Sequence, residues 1–191
     1  WSLLLLRTAS LNLKITAVHP DHHGGLAFIA VGHTRFSVLA FALGIQAGAT
    51  LGEQILFDGK TLMSFKFEIM GALAIVLILF LTPLLAFTNK LLNAKRIGLF
   101  EYGSLADEYT SKFHTKWITH RGDEPLLGTA DVQSLADLSN SYTIVQEMRP
   151  CLINKSSIIT FALATLLPMT PLVLTVYPFD QLISRLLKAI M

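Results

Sequence analysis

The chain has 191 residues, of which 52% are hydrophobic and only 15% charged, against roughly 25% charged in an ordinary soluble domain. The net charge of +2 is small and the basic residues are interleaved with acids, which excludes the basic footprint of a nucleic-acid partner. A single cysteine, Cys151, excludes an intrachain disulfide.

Taken in chain order, residues 1–35 open with Trp1 to Leu6, which reads as the last turns of an upstream apolar helix ending at Arg7, followed by an interfacial turn. The missing initiator methionine fits a fragment lacking earlier spans. A signal peptide would place its basic end before the apolar stretch. Residues 36–57 form the first expected transmembrane helix; its polar residues Gln46, Glu53 and Gln54 imply that it faces protein. A short external turn follows at 58–68. Residues 69–89 carry no charge between Glu68 and Lys90, and match the ~20 residues that cross ~30 Å of hydrocarbon.

Residues 90–155 read as a helical hairpin. Tyr102, Leu105, Tyr109, Phe113 and Trp117 recur at helical spacing, as do Val132, Leu135, Leu138, Tyr142 and Val145, with Gly122 to Gly128 as the break. A third transmembrane helix is expected at 156–179, kinked by Pro168 and Pro171, a defect that membranes tolerate when neighbours satisfy the freed carbonyls. Residues 180–191 suit an amphipathic helix in the outer interface. The fold class is therefore all-α, a polytopic helical membrane protein with at least three transmembrane helices and a cytoplasmic hairpin. That side follows from Lys90, Lys95, Arg96 and Lys155 flanking the 90–155 connection, because basic residues beside spans stay inside.

Three sets of residues carry the candidate chemistry. Gly44, Gly48 and Gly52 share one helix face at every fourth position, the spacing that lets two backbones approach closely; a glycine-lined path is the competing use. Gln46, Glu53 and Gln54 could line a polar or ion path, although Glu53 lies near the helix end, where Lys60 or Lys66 could pair with it. His19, Asp21, His22 and His23 are chemically suited to a metal, but the turn made by Pro20, Gly24 and Gly25 lacks a spacing that fixes tetrahedral ligands. Gln133, Asp137 and Asn140, with Asp131, suit a solvated helix face. No phosphate loop, nucleophile elbow or paired-cysteine motif is present, so no catalytic residue and no cofactor is assigned.

His19-Pro20-Asp21 with Gly24-Gly25-Leu26 begins a series that continues through Ser64-Phe65-Lys66-Phe67-Glu68, Pro83-Leu84-Leu85, Glu101-Tyr102-Gly103 and Lys116-Trp117. It ends with Asp123-Glu124-Pro125-Leu126-Leu127-Gly128 and Asp131-Val132-Gln133-Ser134-Leu135-Ala136-Asp137-Leu138. In these segments, over nearly its whole length, the chain resembles a group of bacterial multipass inner-membrane proteins with no established activity. The resemblance implies a bacterial inner-membrane location and further helices upstream. Two functional classes follow from the residues. One is a non-catalytic scaffold or subunit that docks other membrane helices, as a homo-oligomer or in a heteromeric complex, with the lipid bilayer as surroundings. The other is a small-solute or ion transporter or channel. A membrane metalloenzyme using the His19-Asp21-His22-His23 segment is the weaker third reading.

Overall fold

A computed structural model of the chain describes residues 1–120 and 129–175. Among them there is no strand. The expected break at Gly122 to Gly128, the end of the third span and the 180–191 helix lie outside the described residues. The helices are α1 (Ser2–Ser10), α2 (Ala27–Thr34), α3 (Ser37–Phe57), α4 (Lys66–Leu81), α5 (Thr88–His114), α6 (Ala130–Glu147) and α7 (Lys155–Leu166). Short 3-10 segments at Leu62–Phe65, Thr82–Phe87 and Leu167–Thr175 and a π turn at Thr115–Thr119 extend or join them.

Three helical runs are long and apolar enough to cross a membrane: Ala27–Phe57, Leu62–Thr119 and Lys155–Thr175. Only 28%, 22% and 22% of their most apolar windows are buried within the chain, so Val38, Leu43, Ile75, Ile78 and Leu163 stand exposed. A soluble protein rarely leaves so much apolar surface bare; hydrocarbon is the solvent that suits it.

The chain divides into two compact units. In the unit made by residues 31–83 and 153 onward, α3 packs against α7 and the 3-10 segment after it, while α4 also packs on α7. Direction follows from the contacts. Ala40 joins Val76, Phe80 and Phe161 in one buried layer, and Leu51 joins Phe65, Met169 and Leu172 in the other. The layers pair rising numbers in α3 with falling numbers in α4 and rising numbers in α7. Thus α3 and α7 run parallel, and α4 runs against both, as in a chain that crosses three times.

Two departures from the sequence expectations arise here. The first apolar run begins at Ala27, within the stretch read as interfacial turn, and α2 occupies Ala27–Thr34 near the end of that stretch. His33 is 1% exposed in spite of its polarity, because its Nε2–H donates to the carbonyl of Phe80 at 2.5 Å. The second run does not stop at Asn89. Pro83 tightens the ladder from α to 3-10 at Thr82–Phe87 without ending it, and α5 continues from Thr88. At the proline pair of the last span, α7 stops at Leu166 and the chain proceeds as 3-10 helix through Pro168 and Pro171.

In the unit made by residues 1–30 and 84–152, α5 and α6 pack side by side. Lys95 Nζ donates to the carbonyls of Gln146 and Met148 at 2.7 Å, and Tyr109 Oη donates to the carbonyl of Asp131 at 3.0 Å; these pairings make the two helices antiparallel. Trp117 and Val145, both on the periodic faces, are buried; the packed face differs in that Leu105 and Val132 are exposed and Met148 is buried.

Candidate functional site

The glycine face of α3 is the tightest helix contact. A Cβ at Gly44 would lie 2.2 Å from the carbonyl oxygen of Thr165 and 2.7 Å from Cγ of Pro168. At Gly48 it would meet Met169 and the carbonyl of Pro168 at 3.5 Å, and at Gly52 the Cδ2 of Leu172 at 3.3 Å. Gly44 and Gly48 therefore accommodate the backbone of the last span within the same chain, and Gly52 a leucine side chain from it. Small residues serve this purpose because lipid supplies no hydrophobic drive between helices, leaving close van der Waals contact to hold them.

Gln46, Glu53 and Gln54 do not converge. Gln54 Oε1 accepts from Lys60 Nζ at 2.8 Å, and Lys60 also pairs with Asp58 at 3.5 Å. Lys66 lies over the Phe67 ring at 4.9 Å. The pairing of Glu53 with Lys60 or Lys66 expected from their proximity in sequence is thus not made. Glu53 and Gln46 are exposed, and their side chains make no hydrogen bond or ion pair with any described residue. They share an outward stripe with Leu39, Ala42, Ala49 and Leu56, all exposed. These positions alternate by three and four residues, the seam spacing of two helices packed along each other. Thr50, beside the stripe, turns its hydroxyl back to the carbonyl of Gln46 at 3.1 Å.

The His-Pro-Asp turn is organised by one carboxylate. Asp21 Oδ1 accepts from the backbone N–H of His23 at 2.8 Å and of Gly25 at 3.0 Å, and Oδ2 accepts from Ala27 N–H at 3.0 Å, at the start of α2. His19 Nδ1 lies 2.9 Å from the same Oδ1. Burial pushes the Asp21 carboxyl up, but the three backbone donors together with His19 outweigh it and lower its pKa to about 2. The His23 ring is occupied on one side, its Nδ1 lying 2.8 Å from the carbonyl of Asp21. His22 takes a left-handed backbone with φ of 54°, and its carbonyl accepts from Arg149 N–H at 2.7 Å, tying the turn to the end of α6.

The metal reading of this segment finds no support, since among the described residues no group of three or more His, Cys, Asp or Glu side chains could hold an ion. Asp21 spends its oxygens on three backbone amides and His19, while the His23 ring turns to the Asp21 carbonyl and His22 lies 3.8 Å from Glu147. A pH dependence follows instead. The folded carboxyl ionises below the unfolded value of 3.8, so its contribution is complete above that pH and is lost as pH falls through about 2. Hydrogen exchange at the amides of His23, Gly25 and Ala27 is expected to accelerate across that window. Unchanged protection would show that something other than the carboxylate holds the turn.

Asp131, read as part of a solvated helix face with Gln133, Asp137 and Asn140, instead fastens α6 to the end of α5. Lys116 Nζ and Trp117 Nε1 donate to its Oδ2 at 2.9 and 3.1 Å. The Lys116 hydrogen bond, with help from Trp117 and against some desolvation, holds its carboxyl below the usual carboxylate range. Lys116 and Trp117 both lie in the π turn at Thr115–Thr119. Gln133 and Asp137 bond each other at 2.8 Å on the exposed side.

The residue that sequence reasoning missed is His33. Its ring centroid lies 5.8 Å from that of Phe36 and 5.7 Å from that of Phe161, and its donor satisfies Phe80. The signal was available in principle as Pro83, three positions after Phe80, which removes a backbone donor from that turn.

These observations define an all-α protein with three helical runs able to span a membrane. No family model, curated protein or solved structure matches the chain.

Proposed function

We propose that the chain is a non-catalytic subunit of a helical assembly in the bacterial inner membrane, and that the outward stripe of α3 is where another spanning helix docks. The observation that carries this reading is Gln46, exposed near the centre of a 21-residue apolar helix with its amide unspent among the described residues. In hydrocarbon an unsatisfied carboxamide is costly, and an interhelical hydrogen bond recovers about 1 kcal/mol. Ala42 and Ala49 on either side leave room for a neighbouring backbone. A second copy fits this stripe, because an amide offers both donor and acceptor and so pairs with itself across a two-fold axis. Glu53, nearer the end of the helix, can share a proton with its counterpart there. In this reading the 90–155 hairpin lies in the cytoplasm, where Lys90, Lys95, Arg96 and Lys155 favour it.

Single cysteines placed at Ala42, Gln46, Ala49 and Phe41 of the full chain, in a Cys151→Ser background and in native membranes, test the proposal. Copy-to-copy disulfides are expected at the first three positions and not at Phe41, which is exposed but points about 100° away from Ala42 around the helix. Absence of crosslinks at all four would sink the second-copy reading. In intact cells, an impermeant thiol reagent reaching a cysteine at the exposed Gln133 would invert the orientation.

A transport function is the second reading. It is favoured by the prolines that break the regular ladder in two spans, at Pro83 and at Pro168 with Pro171, since discontinuous helices can line substrate paths. Solute flux into vesicles containing the purified full chain, abolished by Gln46→Leu, would decide in its favour.

A further inference from the structure

A groove of about 410 Å³ runs between the extended residues 12–18 and the first half of α5, lined among others by Asn12, Lys14, Lys90, Asn93, Ile97 and Glu101. Its existence depends on close packing at one end. A Cβ at Gly98 would lie 2.5 Å from Cβ of Ala17 and 3.1 Å from Val145, so glycine there lets the 12–18 segment lie against α5. At the other end Lys90 Nζ donates to the carbonyl of Leu11, which pins the start of the segment and leaves the ammonium with further donors. The segment and α5 therefore run in the same direction, and the groove has two chemically distinct ends.

The end at Lys90 is cationic and rich in donors. Lys14, Asn12 and Asn93 are exposed, and their side chains make no hydrogen bond or ion pair with any described residue. The nearest acid along α5 that lines the groove is Glu101, eleven residues on and so about 16 Å away along the helix axis. The position of this end is equally specific. Lys90 follows directly on the uncharged run 69–89, where a spanning helix leaves hydrocarbon and enters the headgroup layer. Leu11, whose carbonyl Lys90 holds, and Leu85, five residues before Lys90 in the chain, are exposed apolar residues, a surface for acyl chains.

We propose that this end of the groove binds the phosphate of an anionic phospholipid, with the ammonium groups of Lys14 and Lys90 and the carboxamides of Asn12 and Asn93 as donors. Two lysines lining one groove at the headgroup level, flanked by neutral donors and apolar surface, supply the chemistry that retains an anionic lipid. The same donors suit free phosphate, and the lipid is favoured by the depth of the site and by Leu11 and Leu85.

Native mass spectrometry of the full-length protein in mild detergent tests this, with phosphatidylglycerol, phosphatidylcholine and inorganic phosphate added separately and in competition. Phosphatidylglycerol is expected to be retained at least fivefold over phosphatidylcholine. Lys14→Gln, which alters only an exposed side chain, should cut that retention severalfold, and Lys14→Gln with Lys90→Gln should abolish the preference. Lys14→Arg and the distant Lys112→Gln should preserve it. Equal retention of the two lipids, or a preference untouched by the Gln variants, would overturn the site. Displacement of the lipid by millimolar inorganic phosphate would show that the groove reads phosphate alone, and would overturn the lipid assignment.

Discussion

Gly44→Val is expected to destabilise the three-helix unit by about 3 kcal/mol or more, enough to remove most of the folded protein from detergent extracts. The obstacle is backbone. The first added carbon would arrive 2.2 Å from the carbonyl oxygen of Thr165 and 2.7 Å from the ring of Pro168, neither of which can rotate away. Relief requires α3 and α7 to separate, which also opens the layers around Phe161 and Met169. The neighbouring glycines provide an internal scale. Alanine at Gly48 would find Met169 and Pro168 at 3.5 Å, an ordinary contact, and alanine at Gly52 would press only on the tip of Leu172. Both changes should cost under about 1 kcal/mol, since alanine also regains helix propensity. Thermal unfolding in detergent, followed by retention of a monodisperse peak, distinguishes the three. Equal sensitivity at all of them would mean that the glycine face is not packed on α7 in this register.

The second large effect is expected at His33. Phenylalanine there would fill the space among Phe36, Phe80 and Phe161 but bring no donor, and the cost is put at about 2–3 kcal/mol from an unsatisfied carbonyl in a water-free setting. The deficit originates at Pro83. In an α ladder the carbonyl of Phe80 would accept from residue 84; in the tightened 3-10 ladder that role falls to residue 83, which is proline and has no N–H. His33 supplies the missing hydrogen from another helix. His33→Gln should therefore retain much of the stability, and Pro83→Ala should recover part of what His33→Phe loses. If Pro83→Ala brings no recovery in that background, the histidine is serving packing alone.

The apolar cores of the spans were legible because each depends on a one-dimensional property, the near-absence of charge over roughly 20 residues, with Glu53 the one charge inside them. The glycine spacing was equally legible as a contact face, although residue spacing alone could not say that its partner is the last span of the same chain. What escaped the sequence depends on pairing at a distance. His33 looked like a polar residue before the membrane until Phe80, 47 positions later, gave it a partner. Asp21 looked like a possible metal ligand, whereas its oxygens bind amides of its own turn, a role without periodicity. Leu105 and Val132 were misplaced because the end of the hairpin is held by polar contacts, Asp131 with Lys116 and Trp117, where apolar spacing has no authority.

The parallel pairing of α3 with α7 also sets a schedule for biogenesis. The 120 residues separating Gly52 from Leu172 take ~6–24 s to synthesise at 5–20 residues per second. Throughout that interval a nascent α3 inserted from the ribosome has its glycine face uncovered, and any competing helix with small residues can occupy it. Arrival of the proline-broken last span closes the vacancy, which makes the final third of the chain the step at which a committed protomer forms.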